Sequence, residues 1–276
     1  MEIKNHIIFT EENAPSLSKY LRDNNLEYKD NGCFFVLDIS EQNPHWSKIE
    51  KKLKKDISYI SETTFAQSEL NSAEWLCVRS NWRFDYPQPE DHYGYESITY
   101  TKEHLCDECK NGLIQQAPFR FKKEPKWGKR NFMMTNWVYD EFFVSPRAKK
   151  ILENENIPNI SFMPVLNKKG NVVFEETYQL VIESFLPLGL ISKESCIQAK
   201  YHCSKCNRVK YHTNGRGQYV FPRAIFENMP PIIKTSDCFG WGAESHRLII
   251  INQEVFQLLR RNGLDSSLVF EPIKLV

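Results

Sequence analysis

The stretches CDECKNGL (Cys106–Leu113) and HCSKCNRVKYH (His202–His212) each contain a Cys-x-x-Cys pair. A tight turn with this spacing lets two thiolates converge on one metal ion at about 2.3 Å each, and a structural zinc ion takes four such ligands in a tetrahedron. One pair is therefore half of a site. The two pairs together predict one structural Zn²⁺ that ties distant segments of the chain, with the ligands Cys106, Cys109, Cys203 and Cys206.

Three other interpretations of the same residues stay open. His104, His202 and His212 lie close to the pairs, so two separate Cys₂His sites are conceivable, although the first would need a further ligand from elsewhere. A thioredoxin-like redox motif is less favoured, because it needs the first cysteine at a helix start. Here the flanks KEHL and AKYH read as strands that enter metal-binding turns. The third interpretation is two chance pairs that bind no metal.

Composition and targeting signals set the compartment. The beginning of the chain has no apolar run of signal-peptide length, and the longest apolar cluster, RLIIIN near residue 250, is too short to cross a bilayer. We therefore predict a cytoplasmic protein with no membrane partner. In that compartment the eight cysteines would be reduced, which favours a metal site and buried thiols over disulfides.

The charge changes sign along the chain. Residues 1–100 contain 11 Lys or Arg against 17 Asp or Glu, whereas residues 101–276 contain 25 against 18. The change coincides with the polar, Pro-containing stretch DYPQPEDHYGYES (residues 85–97), which reads as a loop. We predict an N-terminal domain at residues 1–98 and a double Cys-x-x-Cys domain at residues 99–276.

The N-terminal residues indicate a small α+β domain. HIIFT (residues 6–10) and CFFVLDI (33–39) are rich in β-branched and aromatic residues and predict strands. APSLSKYLRDNN (14–25) and HWSKIEKKLKKD (45–56) space their apolar residues at helical intervals.

An internal repeat occupies the second domain. Phe143–Val165 resembles Ile250–Ile273, and each copy predicts a strand, a helix, a turn and a strand. Each copy has a capping residue before its helix and an αL-tolerant residue after it, namely Ser145 and Asn156 in the first and Asn252 and Gly263 in the second. The predicted fold is α+β, with a duplicated unit made of a zinc knuckle and a strand–helix–strand piece.

Residues 100–276 resemble the double-CXXCG motif proteins of bacteria. The resemblance lies in the two Cys-x-x-Cys pairs and the C-terminal stretch LIIINQEVFQLLRRNGLDSSLVFEPI (residues 248–273). It implies a protein that binds and neutralises a cognate toxin, with the four cysteines as zinc ligands. The family has Gly directly after the second cysteine of each pair, whereas this chain has Lys110 and Asn207. Asn can adopt the αL geometry that a knuckle needs.

Catalytic signatures are missing from the sequence. Neither a His-Glu-x-x-His motif nor the deaminase pattern occurs, and there is no phosphate-binding loop. We predict a binding protein without catalytic residues or an organic cofactor. The alternative is a zinc-ribbon nucleic-acid-binding or regulatory protein, because FRFKKEPKWGKR (residues 119–130) interleaves six basic residues with three aromatic ones.

Overall fold

Helices and strands are mixed along the chain, which confirms the α+β class. The computed structural model describes residues 1–53, 57, 59–242 and 244–276. Its helices are α1 (Pro15–Asp23), α2 (Trp46–Glu50), α3 (Gln67–Ser72), α4 (Tyr95–Thr99), α5 (Pro146–Asn154) and α6 (Gln253–Arg261), and short 3-10 turns occur at Asp91–Tyr93 and Arg223–Phe226. Its strands are β1 (Glu2–Phe9), β2 (Lys29–Asp30), β3 (Phe35–Ser40), β4 (Tyr59–Thr64), β5 (Trp75–Ser80), β6 (Tyr100–Thr101), β7 (Ile114–Gln115), β8 (Arg120–Phe121), β9 (Phe132–Thr135), β10 (Val138–Val144), β11 (Ile160–Asn167), β12 (Val173–Ile182), β13 (Phe185–Leu186), β14 (Ile197–His202), β15 (Val209–Thr213), β16 (Val220–Phe221), β17 (Ile232–Thr235), β18 (Cys238–Phe239), β19 (Ile249–Asn252), β20 (Leu268–Pro272) and β21 (Lys274–Leu275). None of the helices in these described ranges has both the length and the apolar character that a membrane crossing requires.

A four-stranded sheet with the order β2-β3-β1-β4 forms the N-terminal part of the chain. Ile7 and Phe9, alternate residues of β1, face a hydrophobic core. Leu17 and Leu21, which lie one turn apart on α1, pack in the same core. The two predicted strands and two predicted helices are confirmed here. The helix α2 ends at Glu50, and residues 54–56 of the predicted helix lie outside the described residues.

Two five-stranded sheets in the rest of the molecule share the order of four strands, and the fifth strand lies at opposite ends of the two sheets. They run β8-β11-β12-β10-β9 and β13-β17-β19-β5-β20. In each sheet, the strands before and after a helix flank a third strand and pair antiparallel with it. The flanked strand is β12 between β10 and β11, and β5 between β19 and β20. Both stretches that resemble each other in sequence therefore fold as strand, helix and strand.

The ends of α5 and α6 follow the sequence prediction. The side chains of Ser145 and Asn252 accept a hydrogen bond from the backbone N–H three residues on, at 3.2 and 3.0 Å. Asn156 and Gly263 follow the two helices with φ of 51° and 60°. Each helix thus begins at a side-chain cap and ends at an αL residue.

One hydrophobic core joins the two sheets and both helices. Leu152 of α5 and Leu259 of α6 are almost fully buried in it, together with Phe132 of β9 and Ile251 of β19. The two strand–helix–strand stretches therefore stabilise each other through a shared core.

The strand β5 lies N-terminal to the predicted boundary near residue 98, yet it is flanked by β19 and β20. Its residues Leu76 and Val78 are buried in the shared core. The division of the chain into two folding domains stays a prediction. The hydrogen bonding shows that residues 75–80 belong to the same sheet as the C-terminal strands.

The two Cys-x-x-Cys turns sit in different settings. The second lies between β14 and β15, which form an antiparallel hairpin, as the flank AKYH predicts. The first lies between the two-residue strands β6 and β7. The prediction that KEHL (102–105) forms a strand is wrong, because β6 ends at Thr101 and the next residues form a turn.

Candidate metal centre

The four predicted ligands come together in one cluster. Their sulfur atoms all lie within 4.8 Å of one another. The Sγ atoms of Cys106 and Cys203 are 3.7 Å apart, and those of Cys109 and Cys206 are 3.5 Å apart. Each of these short contacts joins one turn to the other, so the cluster crosses between the two distant segments.

The two turns have the same backbone hydrogen bonds. The N–H of the first cysteine donates to the carbonyl five residues on, from Cys106 to Asn111 (2.9 Å) and from Cys203 to Arg208 (3.0 Å). The carbonyl oxygen of the first cysteine accepts from the N–H four residues on, from Lys110 to Cys106 (2.8 Å) and from Asn207 to Cys203 (2.9 Å). The turns are therefore the same knuckle formed twice.

The residue after each second cysteine is in the left-handed region, where glycine is favoured. Lys110 has φ of 61° and Asn207 has φ of 60°. The backbone thus keeps the geometry that Gly would supply, at a cost of about 1 kcal/mol for a lysine. Gly112 has φ of 111°, and a Cβ on it would lie 2.0 Å from the His104 carbonyl oxygen, so this position requires glycine.

The sulfur geometry fits a tetrahedral metal ion. Four ligands at about 2.3 Å from a common centre are separated by about 3.8 Å. The Cys106–Cys203 and Cys109–Cys206 sulfur distances of 3.7 and 3.5 Å are close to this value. A disulfide would need about 2.05 Å, and all eight cysteines are free. A single cluster of four sulfurs favours one Cys₄ site over two separate Cys₂His sites. The ligand set is compatible with a bound metal ion.

Two of the four thiols have pKa values shifted in opposite directions. Hydrogen bonding from the backbone N–H of Cys109 lowers the pKa of the Cys106 thiol to about 6. Burial raises the pKa of the Cys109 thiol to about 12. Neighbouring thiolates repel one another, so a bound cation is the natural way to hold four deprotonated sulfurs together.

Side chains from one knuckle hold the other. Arg208 donates from Nη1 to the backbone oxygens of Asn111 (2.8 Å) and His104 (3.2 Å). Lys205 pairs with Asp107 at 2.6 Å, but both side chains are exposed, so solvent screens this pair.

Lys210, a buried lysine beneath the first knuckle, was not predicted from the sequence. Its Nζ donates to the carbonyl oxygens of Cys109 (3.1 Å), Gly242 (2.6 Å) and Glu244 (2.8 Å). It therefore connects the cluster to the loop after β18. A lysine in an ordinary strand pattern gives no sequence signal for this role.

The basic stretch 119–130 presents its cations and buries its rings. Phe119, Phe121 and Trp127 are buried, and the Trp127 indole N–H donates to the Glu176 carbonyl oxygen at 2.7 Å. Lys122 pairs with Glu90 at 2.7 Å. None of the three rings is accessible for stacking on a base.

Comparison with protein-family models and with curated proteins finds no match to this chain. The double-CXXCG resemblance therefore stays a prediction.

Proposed function

We propose that this chain is a non-enzymatic zinc protein that binds and neutralises a cognate toxin. The observation that carries the zinc part is the single cluster of four sulfurs, formed by two knuckles with matched hydrogen bonds. The toxin-binding part rests on the resemblance to the double-CXXCG proteins. We place its action in the cytoplasm, where the thiols stay reduced.

Zinc is the metal that the donor set favours. Soft thiolates in a tetrahedron are typical of zinc or iron–sulfur centres, and the separate Cys-x-x-Cys knuckles are typical of structural zinc. A divalent ion with four thiolates carries two negative charges in excess, and the cations of Arg208 and Lys210 lie around the cluster to offset them.

A structural role follows from the number of ligands. Catalytic zinc keeps a coordination position open for water or substrate, whereas four cysteines fill a tetrahedral shell. The metal would then contribute its binding free energy to the fold and supply no nucleophile.

We further propose that the second domain arose by duplication of a knuckle and a strand–helix–strand unit. The matched knuckles support this, as do the shared order of four strands in the two sheets and the matched helix ends. These are separate features, and a chance sequence similarity between 143–165 and 250–273 would account for none of the pairing.

A protein partner suits the basic stretch better than nucleic acid does. Single-strand binders stack bases on exposed aromatic rings, and the three rings in 119–130 are buried. The acidic N-terminal residues belong to the same molecule and would repel a polyanion, whereas a folded protein partner tolerates mixed charge.

Elemental analysis and native mass spectrometry test the zinc part. We expect one zinc ion per chain, and loss of that zinc when Cys106 and Cys203 are both replaced by Ser. The variant Cys33→Ser is the matched control, because Cys33 is exposed and outside the cluster. Iron in place of zinc, or zinc retained by the double variant, would refute this assignment.

Co-expression with a toxin encoded beside the gene tests the binding part. We expect the chain to restore growth and to form a complex that co-elutes with the toxin domain. Fluorescence anisotropy with single- and double-stranded DNA and RNA, at about 0.1 M salt, tests the alternative. Saturable submicromolar binding, lost when Lys122, Lys123, Lys126 and Lys129 are neutralised, would replace toxin binding with nucleic-acid recognition.

A further inference from the structure

A cavity of about 640 Å³ lies where the two five-stranded sheets meet the first knuckle. It is lined by residues 110–115 of the knuckle loop, by 140–141 and 181–182 of β10 and β12, and by Phe185 and Lys234 of β13 and β17. Small-molecule sites occur preferentially at such junctions and have volumes of about 300–1,000 Å³. None of the four cysteines of the metal cluster lines this cavity.

Strand pairing places an aromatic ring beside a buried lysine on the cavity wall. Phe185 pairs directly with Lys234 in a parallel ladder, so the two side chains project from the same face of the sheet. The Lys234 side chain is 7% exposed, and its Nζ donates to Glu141 Oε1 at 2.5 Å. The other oxygen of Glu141 accepts from Gln179 at 3.0 Å. This buried ion pair is therefore balanced in charge, and both carboxylate oxygens are occupied.

The same ring supports a guanidinium that has no carboxylate partner. Arg247 lies over Phe185, with 5.3 Å from Cζ to the ring centroid, and both residues line the cavity. The Nε of Arg247 is shut off from solvent. Its two Nη groups differ, because neither is buried and neither forms a hydrogen bond or an ion pair with the described residues. Since the guanidinium lies over a ring of this wall, its Nη groups are available to a ligand in the cavity.

The charged residues of the wall leave one positive charge in excess. Lys110, Lys234 and Arg247 line the cavity, and so do Asp140 and Glu141. Lys234 and Glu141 balance each other. Asp140 accepts from the backbone N–H of Arg247 at 3.1 Å, and it forms no ion pair with the guanidinium. A ligand with a single negative charge would complement this wall.

Apolar side chains make up much of the remaining wall. They are Leu113, Ile114, Val181, Ile182 and Phe185. Ile114 and Phe185 are about half exposed, so apolar surface is uncovered at the cavity. The imidazole of His246, which also lines the cavity, already has a carboxylate neighbour in Glu244 at 3.1 Å. An apolar wall with one available cation selects a ligand that has an apolar body and one acidic end.

We propose that this cavity binds a small monocarboxylic acid with an apolar body. The Nη groups of Arg247 donate to the carboxylate, and the Phe185 ring holds the guanidinium plane in place. The apolar side chains cover the body of the acid. This binding activity goes beyond the zinc centre and toxin binding, and it depends on neither.

Isothermal titration calorimetry and thermal shift of the whole zinc-loaded chain test the proposal. The probes are 4-phenylbutyrate and octanoate, and 4-phenylbutyramide is the neutral counterpart of the first acid. We expect at least one acid to bind and to raise the melting temperature, because a ligand of the folded state stabilises it. The amide should bind about tenfold more weakly than its acid. Arg247→Met should weaken the binding of the acid by about tenfold or more, because it removes a charged hydrogen-bonding partner.

Two further variants separate ligand binding from loss of structure. Ile114→Glu adds a carboxylate at an exposed position of the wall and should weaken the acid by repulsion. Ile8→Glu is its matched control, because Ile8 is 46% exposed against 49% for Ile114 and does not line the cavity. Arg247→Lys keeps the charge but loses the planar fork, and should bind the acid with an affinity between those of the wild type and Arg247→Met.

Three results would each overturn the proposal. The first is that neither acid binds the wild type. The second is that the amide binds as tightly as its acid, which would remove the role of the charge. The third is that Arg247→Met or Ile114→Glu binds the acid as tightly as the wild type does.

Discussion

The two knuckles share their hydrogen bonds but differ in what supports them. The second lies in a hairpin whose strands β14 and β15 pair from Ile197 to His202, whereas the first lies between strands of two residues each. The two larger sheets differ in a related way. The flanked strand β12 comes directly after β11 in sequence, whereas the flanked strand β5 comes from far upstream of β19 and β20. The knuckles and the strand–helix–strand stretches are repeated, whereas the strands that support or pair with them differ between the two copies.

Metal removal should have the largest effect on stability and should affect the two knuckles unequally. A chelator that strips the metal, or the Cys106→Ser/Cys203→Ser variant, should lower the melting temperature by about 10 °C or more, because the metal's binding free energy belongs to the folded state. Hydrogen exchange should accelerate more in residues 106–112 than in 203–208, since the hairpin still supports the second knuckle. An unchanged melt, or equal loss of protection in both knuckles, would contradict the expectation.

Truncation of the helix anchors compares the two strand–helix–strand stretches. Leu152→Ala and Leu259→Ala should each cost about 2–5 kcal/mol in the free energy of unfolding, because both side chains are almost fully buried in the shared core. Urea denaturation measures the cost. Leu188→Ala is the control, as Leu188 is exposed and should change stability little. A cost below about 1 kcal/mol at either buried position would mean that the core relaxes around that helix.

The two helix caps should differ in a measurable way. Asn252→Ala should cost about 1 kcal/mol, the usual value for a lost cap. Ser145→Ala should cost more, because the buried Ser145 hydroxyl also donates to Asn131 Oδ1 at 2.9 Å. Chemical denaturation of both variants provides the ranking, and the reverse order would show that the contact with Asn131 contributes little.

The smallest effect concerns the left-handed residue of each knuckle. Lys110→Gly should stabilise the protein by up to about 1 kcal/mol, and Asn207→Gly by less, because Asn tolerates this conformation better than Lys does. Lys205→Gly is the control, because it should change stability in the opposite direction. Lys205 is not among the positive-φ residues, so Gly should destabilise the protein there. Melting curves of the three zinc-loaded variants test this ranking of stabilities. A lower melting temperature for Lys110→Gly than for the wild type would contradict it.

Sequence reasoning succeeded where the structure is local. Caps at Ser145 and Asn252 and the αL residues after both helices follow from short-range chemistry. The convergence of the two Cys-x-x-Cys pairs was predictable because each pair supplies only half of a metal site. The prediction of a strand at KEHL (102–105) failed because four residues are too short a stretch to distinguish a strand from a turn, and they form a turn here. The pairing of β5 with β19 and β20 could not be anticipated, since no pattern within residues 75–80 names its partners.

The position of β5 has a consequence for synthesis on the ribosome. Ser80, at the end of β5, donates to the backbone oxygen of Ser267, 187 positions later. At about 5–20 residues per second, roughly 10–40 s pass before the flanking strand has been translated. The apolar strand WLCV (residues 75–78) waits unpaired through that interval. Nascent chains stalled before residue 268 should therefore expose an unpaired apolar strand edge that chaperones recognise. Slower translation would lengthen that exposure.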